Sequence, residues 1–188
     1  DQAELLFREV VVVRRRVLGS VHPATLASED DLQRLLNAKI RFIPTDRYEK
    51  RSIDGWTVYV HKDLLAGDTE PGAEALRLLE TRLDEVAQVV PGSACEKLRR
   101  VPIWLGLDNG DGPAYHPSQG WLEEHGYNPD WARSVEIGNA SQFVSLSGDT
   151  EIVLRLLAVA YYDQVLGFDH DGIRGAFQAA AEAGRING

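Results

Sequence analysis

The stretch that most restricts what this chain can become is residues 153–169, VLRLLAVAYYDQVLGFD. It predicts a helix from about Thr150 to Leu166. Asp149 and Glu151 stand at the end where the helix dipole favours negative charge, and Gly167 is the natural stop. Leu156 and Val159 are expected to fill the core beneath this helix. Arg155 reads either as a side chain whose head reaches solvent or as the partner of a carboxylate, Glu136 or Asp163 being the nearest by sequence.

The rest of the chain mixes strands and helices without a regular strand-helix-strand alternation, which predicts an α+β fold with a small mixed sheet and long helices. Gly55–His61 alternates aromatic and β-branched residues and reads as a strand. Pro71–Val90 has Leu76, Leu79, Leu83, Val86 and Val90 at helical spacing, ended by Pro91 and Gly92. Val101–Leu107 and Ser134–Ile137 read as strands, Ser118–His125 as a short helix closed by Gly126, and Asp171–Ala183 as a last helix. Ile40–Arg51 reads as a polar connection with Pro44 and Asp46 as turn residues.

At 188 residues, 44% hydrophobic and 26% charged, the chain is long enough for one domain with a real core. A net charge of −9 argues against a nucleic-acid partner, since the phosphate backbone selects for clustered Lys and Arg. The short run Arg14-Arg15-Arg16 reads as a solvated helix face. One cysteine, Cys95, forbids an internal disulfide. No stretch reaches the roughly 20 apolar residues of a membrane span. A cytoplasmic protein with no membrane partner is the expectation.

Two resemblances refine this reading. The segment 153–169 is similar to the metal-binding helix of a bacterial family of zincin-like metallopeptidases, of the form V-L-H-E-L-A-H-A-Y-H-D-Q-x-L-G-F-D. Leu154, Leu157, Ala158, Ala160, Tyr161, Asp163, Gln164, Leu166, Gly167, Phe168 and Asp169 fit that pattern. Arg155, Leu156 and Val159 stand where the family has its first histidine, its glutamate and its second histidine. The two zinc ligands and the base that would activate the bound water are therefore replaced. The likeness extends over about Tyr48 to Gly184, through IDGWTVYVHKDLL, VPIWLGLD and AYHPSQGWLEEHGYNPDWARSVEIGNASQF. It implies a zincin-like domain over residues 38–188 with no metal and no cofactor. In zincins an edge strand before the metal helix holds extended substrate by β-addition. Here the resemblance implies Val135–Asn139 for that role, with Glu136, Gly138, Asn139, Arg155, Val159 and Tyr162 lining a ligand cleft.

The second resemblance is N-terminal. RRRVLGSVHPATLAS within Ala3–Leu36 is similar to a kinesin-light-chain-type tetratricopeptide repeat, with Gly19 ending one helix and Pro23 opening the next. It implies that Val10–Val13, a β-branched run that reads as strand by propensity, is helical. Residues 1–37 then form a helical pair, too little for a solenoid, which needs roughly three repeats.

Other constellations favour structural readings. His116 and His125 lie nine positions apart beside acids and aromatics but without a recognised ligand spacing. Asp169, His170 and Asp171 fit a helix cap better than a cation site. Asp108-Asn109-Gly110-Asp111-Gly112 fails the calcium-loop pattern at Gly110. The function expected is a non-catalytic metallopeptidase-like domain that binds a peptide, protein or small molecule. The first alternative is metal-free chemistry using Arg155, Tyr162, Glu136 and His116. The second is assembly, including self-association, through residues 1–37.

Overall fold

The structure is a computed structural model that describes residues 2–66, 70–109, 112–167 and 170–184, with the side chains of residues 2, 3, 36–41, 70 and 71 outside the description. The chain is α+β. Two helices, α1 (Gln2–Leu18) and α2 (Pro23–Arg41), come first. Gly19 ends α1 with φ +91 and Pro23 opens α2 at its first residue. Val10–Val13 is helical, as the repeat resemblance implies. The second helix runs past residue 37 to Arg41, so its end lies beyond the expected boundary of the helical pair.

A five-stranded mixed sheet follows, with strands β1 (Tyr48–Ile53), β2 (Trp56–His61), β3 (Ile103–Leu105), β4 (Ala114–His116) and β5 (Ser134–Ile137) in the order β1-β2-β3-β5-β4. The polar connection expected over Ile40–Arg51 instead contains most of β1. This strand forms an antiparallel hairpin with β2 through Asp54 and Gly55, both at positive φ. A two-residue Asp-Gly turn of that kind matches the twist of paired strands. Parallel pairing of β2 with β3 and of β3 with β5 needs crossovers, which α3 (Lys62–Leu65), α4 (Glu70–Val89) and α5 (Gly92–Leu98), and then α6 (Gln119–Glu124), supply.

The period of two along each strand sends alternate side chains to opposite faces. On one face Val58, Val60, Ile103, Leu105, Val135 and Ile137 form the main core. Leu79, Leu83 and Val86 of α4, Phe143 of α7 (Ala140–Ser145), and Val153, Leu157 and Ala160 of α8 (Ile152–Tyr161) cover it. The other face carries a smaller aromatic cluster of Tyr48, Trp104, Leu122, Tyr127 and Trp131.

The α-helical part of α8 is shorter than expected. Beyond Tyr161 the backbone widens into a π turn, residues 162–166, and Gly167 stops it at φ +80. The last helix, α9 (Asp171–Glu182), starts where expected. No helix among the described residues is long and apolar enough to cross a membrane.

Candidate functional site

The strand expected to receive an extended ligand is not an edge. In the sheet order β5 lies between β3 and β4, and all four of its residues are buried. The edge on this side of the sheet is β4, a three-residue strand bounded by Pro113 and Pro117 and paired antiparallel to β5. A pocket of about 470 Å³ follows this strand, lined by Ala114, Tyr115, His116, Pro117, Ser118 and Trp121. Trp121 is placed by the first turn of α6, where Ser118 caps the helix by accepting from the Trp121 backbone N–H at 3.2 Å. Its ring stacks on His125, with centroids 4.1 Å apart.

Beneath the pocket lies a buried polar network that sequence reasoning assembled only in part. His116 Nε2 is 2.7 Å from Glu136 Oε2, and Asn109 Nδ2 donates to Glu136 Oε1 at 2.5 Å. Glu136 is 1% exposed, so this carboxylate depends on protein donors rather than water. His116 and Glu136 meet because Ser134 pairs with His116 and Glu136 with Ala114 in the β4–β5 register, which sends both side chains to the aromatic face. Asn109 reaches them because its backbone N–H donates to Gly138 O at 2.9 Å, an anchor that a sequence motif does not reveal. Tyr48 also approaches Asn109. Burial raises its phenol pKa above the ordinary value, opposed by the nearby Asn109 amide and reinforced by the Glu136 charge, although the buried hydroxyl makes no hydrogen bond of its own.

The opposite face of β4 is tied to the end of α8. Tyr115 donates from its hydroxyl to Asp163 Oδ2 at 2.5 Å and accepts from Gln164 Nε2 at 3.0 Å, while Gln164 Nε2 also reaches Arg133 O at 2.9 Å. Burial, and next the Asp163 hydrogen bond, push the Tyr115 hydroxyl up to about 12. The π turn thus has a packing reason: it aims Asp163 and Gln164 at the edge strand.

Of the two readings of Arg155, the solvent-exposed one holds and the pairing with Glu136 or Asp163 does not. Arg155 pairs instead with Asp149, through Nη1 at 3.0 Å and Nη2 at 2.5 Å. Its side chain is 56% exposed. Val159 is likewise not a core residue. It is 45% exposed, one turn along the same face, whereas Leu156 packs partly buried against the main core. Gly138 is buried where Gly106 meets it, and a Cβ on Gly106 would come within 2.6 Å of Gly138 O. Asn139 caps α7 by accepting from Gln142 N and donates to Asp108 Oδ1, both at 2.8 Å. Neither residue lines the pocket on β4. Tyr162 lines a second hollow of about 570 Å³ with Ile173, Arg174, Phe177 and Gln178 of α9.

The structure therefore brings His116 and Glu136 together and leaves Arg155, Val159 and Tyr162 on a separate exposed surface of the neighbouring helix. His125 binds Trp121 O through Nδ1 at 2.7 Å instead of joining His116. Among the described residues no group of three or more His, Cys, Asp or Glu side chains gathers as a metal site. Asp169 of the Asp169-His170-Asp171 cluster, and Gly110 and Asp111 of the glycine-rich turn, lie outside the described residues. Comparison with known proteins gives no match: no family model fits the chain, and no curated protein or solved structure is significantly similar to it.

Proposed function

We propose that this is a metallopeptidase-like domain that binds an extended peptide along β4 without cutting it. The observation that carries the reading is the pocket along Ala114–Ser118 on β4, one of the two edge strands of the sheet. An edge strand offers backbone N–H and C=O groups to an incoming strand, and an adjacent pocket selects one of its side chains. The pocket is walled by Trp121 and Pro117, which favours an apolar side chain over a charged one. On its other flank the edge is buttressed by Tyr115 and the π turn, so the site is held by rigid elements.

The likeness of residues 153–169 to the zincin-like helix supports a metallopeptidase-like origin of the domain. Arg155, Leu156 and Val159 support binding in place of hydrolysis, because none of them is a zinc ligand or a base for water. Glu136 is committed to His116 and Asn109, a structural use of this carboxylate. A buried Cys95 thiol fits a reducing compartment such as the cytoplasm.

The test is to pan the chain against a random dodecapeptide library and titrate the retained peptides by tryptophan fluorescence. Peptides with an apolar anchor should bind, and Trp121→Ala should weaken them at least ~10-fold, as loss of an aromatic anchor does, while the melting temperature stays close to that of the parent. Retention of no peptide, or binding indifferent to Trp121→Ala, would sink the reading. A second reading, metal-free acid-base chemistry, draws on the His116–Glu136 pair, since a carboxylate that orients an imidazole is a recurring device. It requires that His116→Gln abolish a turnover that the parent shows.

A further inference from the structure

The helix α1 carries an apolar stripe that its partner α2 does not cover. Leu6, Val10, Val13 and Val17 follow spacings of four, three and four, which places them on one side of a helix. Their exposure runs from 39% at Val10 to 71% at Val17. The contact with α2 uses another side of the helix, which meets the stripe at Arg14. There Val11 is buried, Arg14 Nη1 donates to Ala24 O at 3.0 Å and to Ser28 Oγ at 2.6 Å, and Arg15 pairs with Glu29 at 2.6 Å. Along the stripe lies a hollow of about 340 Å³, lined by Leu6, Glu9, Val10, Val13 and Arg14. A contiguous exposed apolar strip of this kind marks an interaction surface.

We propose that the occupant is a second copy of this chain, with two α1 helices packed antiparallel about a two-fold axis. The spacing four-three-four reads the same in both directions. A two-fold axis between Val10 and Val13 therefore sets Leu6 against Val17 of the second copy, and Val10 against its Val13. A two-fold interface must be self-complementary in this way. The flanking charges agree with that register. Glu9 and Arg16 lie on the same side of the stripe, seven residues apart, and neither forms a salt bridge among the described residues. Antiparallel packing brings Glu9 of each copy beside Arg16 of the other, two reciprocal ion pairs. A parallel pair would instead bring Glu9 to Arg14, whose guanidinium is already held by Ala24 and Ser28.

The test is sedimentation equilibrium on the full chain from micromolar to submillimolar concentration. The mass should rise from 20.8 kDa toward twice that value. Val10→Asp with Val13→Asp should leave a monomer throughout, with unchanged helix content because the α2-facing residues are untouched. Glu9→Arg alone, or Arg16→Glu alone, should raise the dissociation constant about fivefold, the order expected for exposed ion pairs turned repulsive. The two together should restore it, because the reciprocal pairs re-form with signs exchanged. In a parallel dimer the combination would not restore affinity, since the new arginine would face Arg14. A monomer at every concentration would overturn the proposal and give the stripe to a different protein. Self-association that survives the two aspartates would overturn it by placing the contact elsewhere.

Discussion

Replacing His116 with Phe removes one donor from a carboxylate that water hardly reaches. Glu136 is 1% exposed and accepts from His116 at 2.7 Å and from Asn109 at 2.5 Å. A hydrogen bond to a charged group contributes about 1.5–3 kcal/mol, and losing one leaves part of the desolvation of a buried carboxylate uncompensated. Asn109 remains as a donor, so the expected loss is about 3 kcal/mol, at the upper end of that range. Phe keeps an aromatic ring among Tyr127 and Trp131, whose centroids lie 6.1 and 6.2 Å from that of His116, so little of the loss comes from packing. Urea unfolding at pH 7, followed by tryptophan fluorescence, reads the change as a midpoint lowered by about 1 M or more, given typical denaturant slopes. Adding Glu136→Gln to the same chain should recover part of the loss, since a neutral amide needs fewer donors and can still accept from Asn109. A loss below about 0.5 kcal/mol, the range of ordinary surface substitutions, or a combined variant weaker than the single one, would refute the reasoning.

Three further outcomes are expected. Arg155→Ala should leave the urea midpoint within error of the parent, because the Arg155–Asp149 pair is exposed and stabilises little; a clear destabilisation would mean that Arg155 faces a buried acid after all. Stability should fall as pH drops below the ordinary histidine value of 6.5, because burial, opposed by the Asp63 charge, lowers the pKa of His61 in the folded state. The unfolded chain then takes up a proton that the folded chain refuses, until the lowered pKa is reached; His61→Asn, which keeps an acceptor for the Asp63 N–H, should flatten that part of the profile. Elemental analysis of purified protein should find no stoichiometric zinc, and Arg155→His with Leu156→Glu and Val159→His should bind it only weakly, because two histidines without a third protein ligand make an incomplete site; one tightly held zinc in the parent chain would contradict this.

The elements with strong periodicity were legible. The helices α4 and α9 and the strands β2 and β5 fall within a residue or so of their expected limits, because Leu79, Leu83 and Val86, or Val58 and Val60, repeat at the spacing of one buried face. The strand β1 was missed because its Glu49, Lys50 and Arg51 are exposed on the sheet's outer edge and carry no apolar alternation. The signal that could have found it was Asp54-Gly55 ahead of a clear strand, which implies a second strand before the turn. The three-residue strand β4 offers almost no pattern of its own, and its burial comes from pairing with β5. The edge role came to β5 from the resemblance, and β4, which takes the outer place, carried no pattern to correct it. The resemblance fixed the helix that carries Arg155 but not what Arg155 meets, since Asp149 lies only six residues away and captured it without any tertiary contact. His116 and Glu136 were both singled out, yet their union depends on a strand register that sequence alone does not set.

The claim that an extended peptide adds to β4 is tested most directly by amide chemical-shift mapping of the ¹⁵N-labelled chain against one peptide retained in the library selection. The account predicts that the largest shifts fall on residues 114–118 and Trp121, that cross-strand contacts appear between peptide amides and β4, and that the peptide stays intact after prolonged incubation. Shifts centred on the exposed side of β1, or on the hollow between Tyr162 and Phe177, with residues 114–118 unmoved, would contradict it.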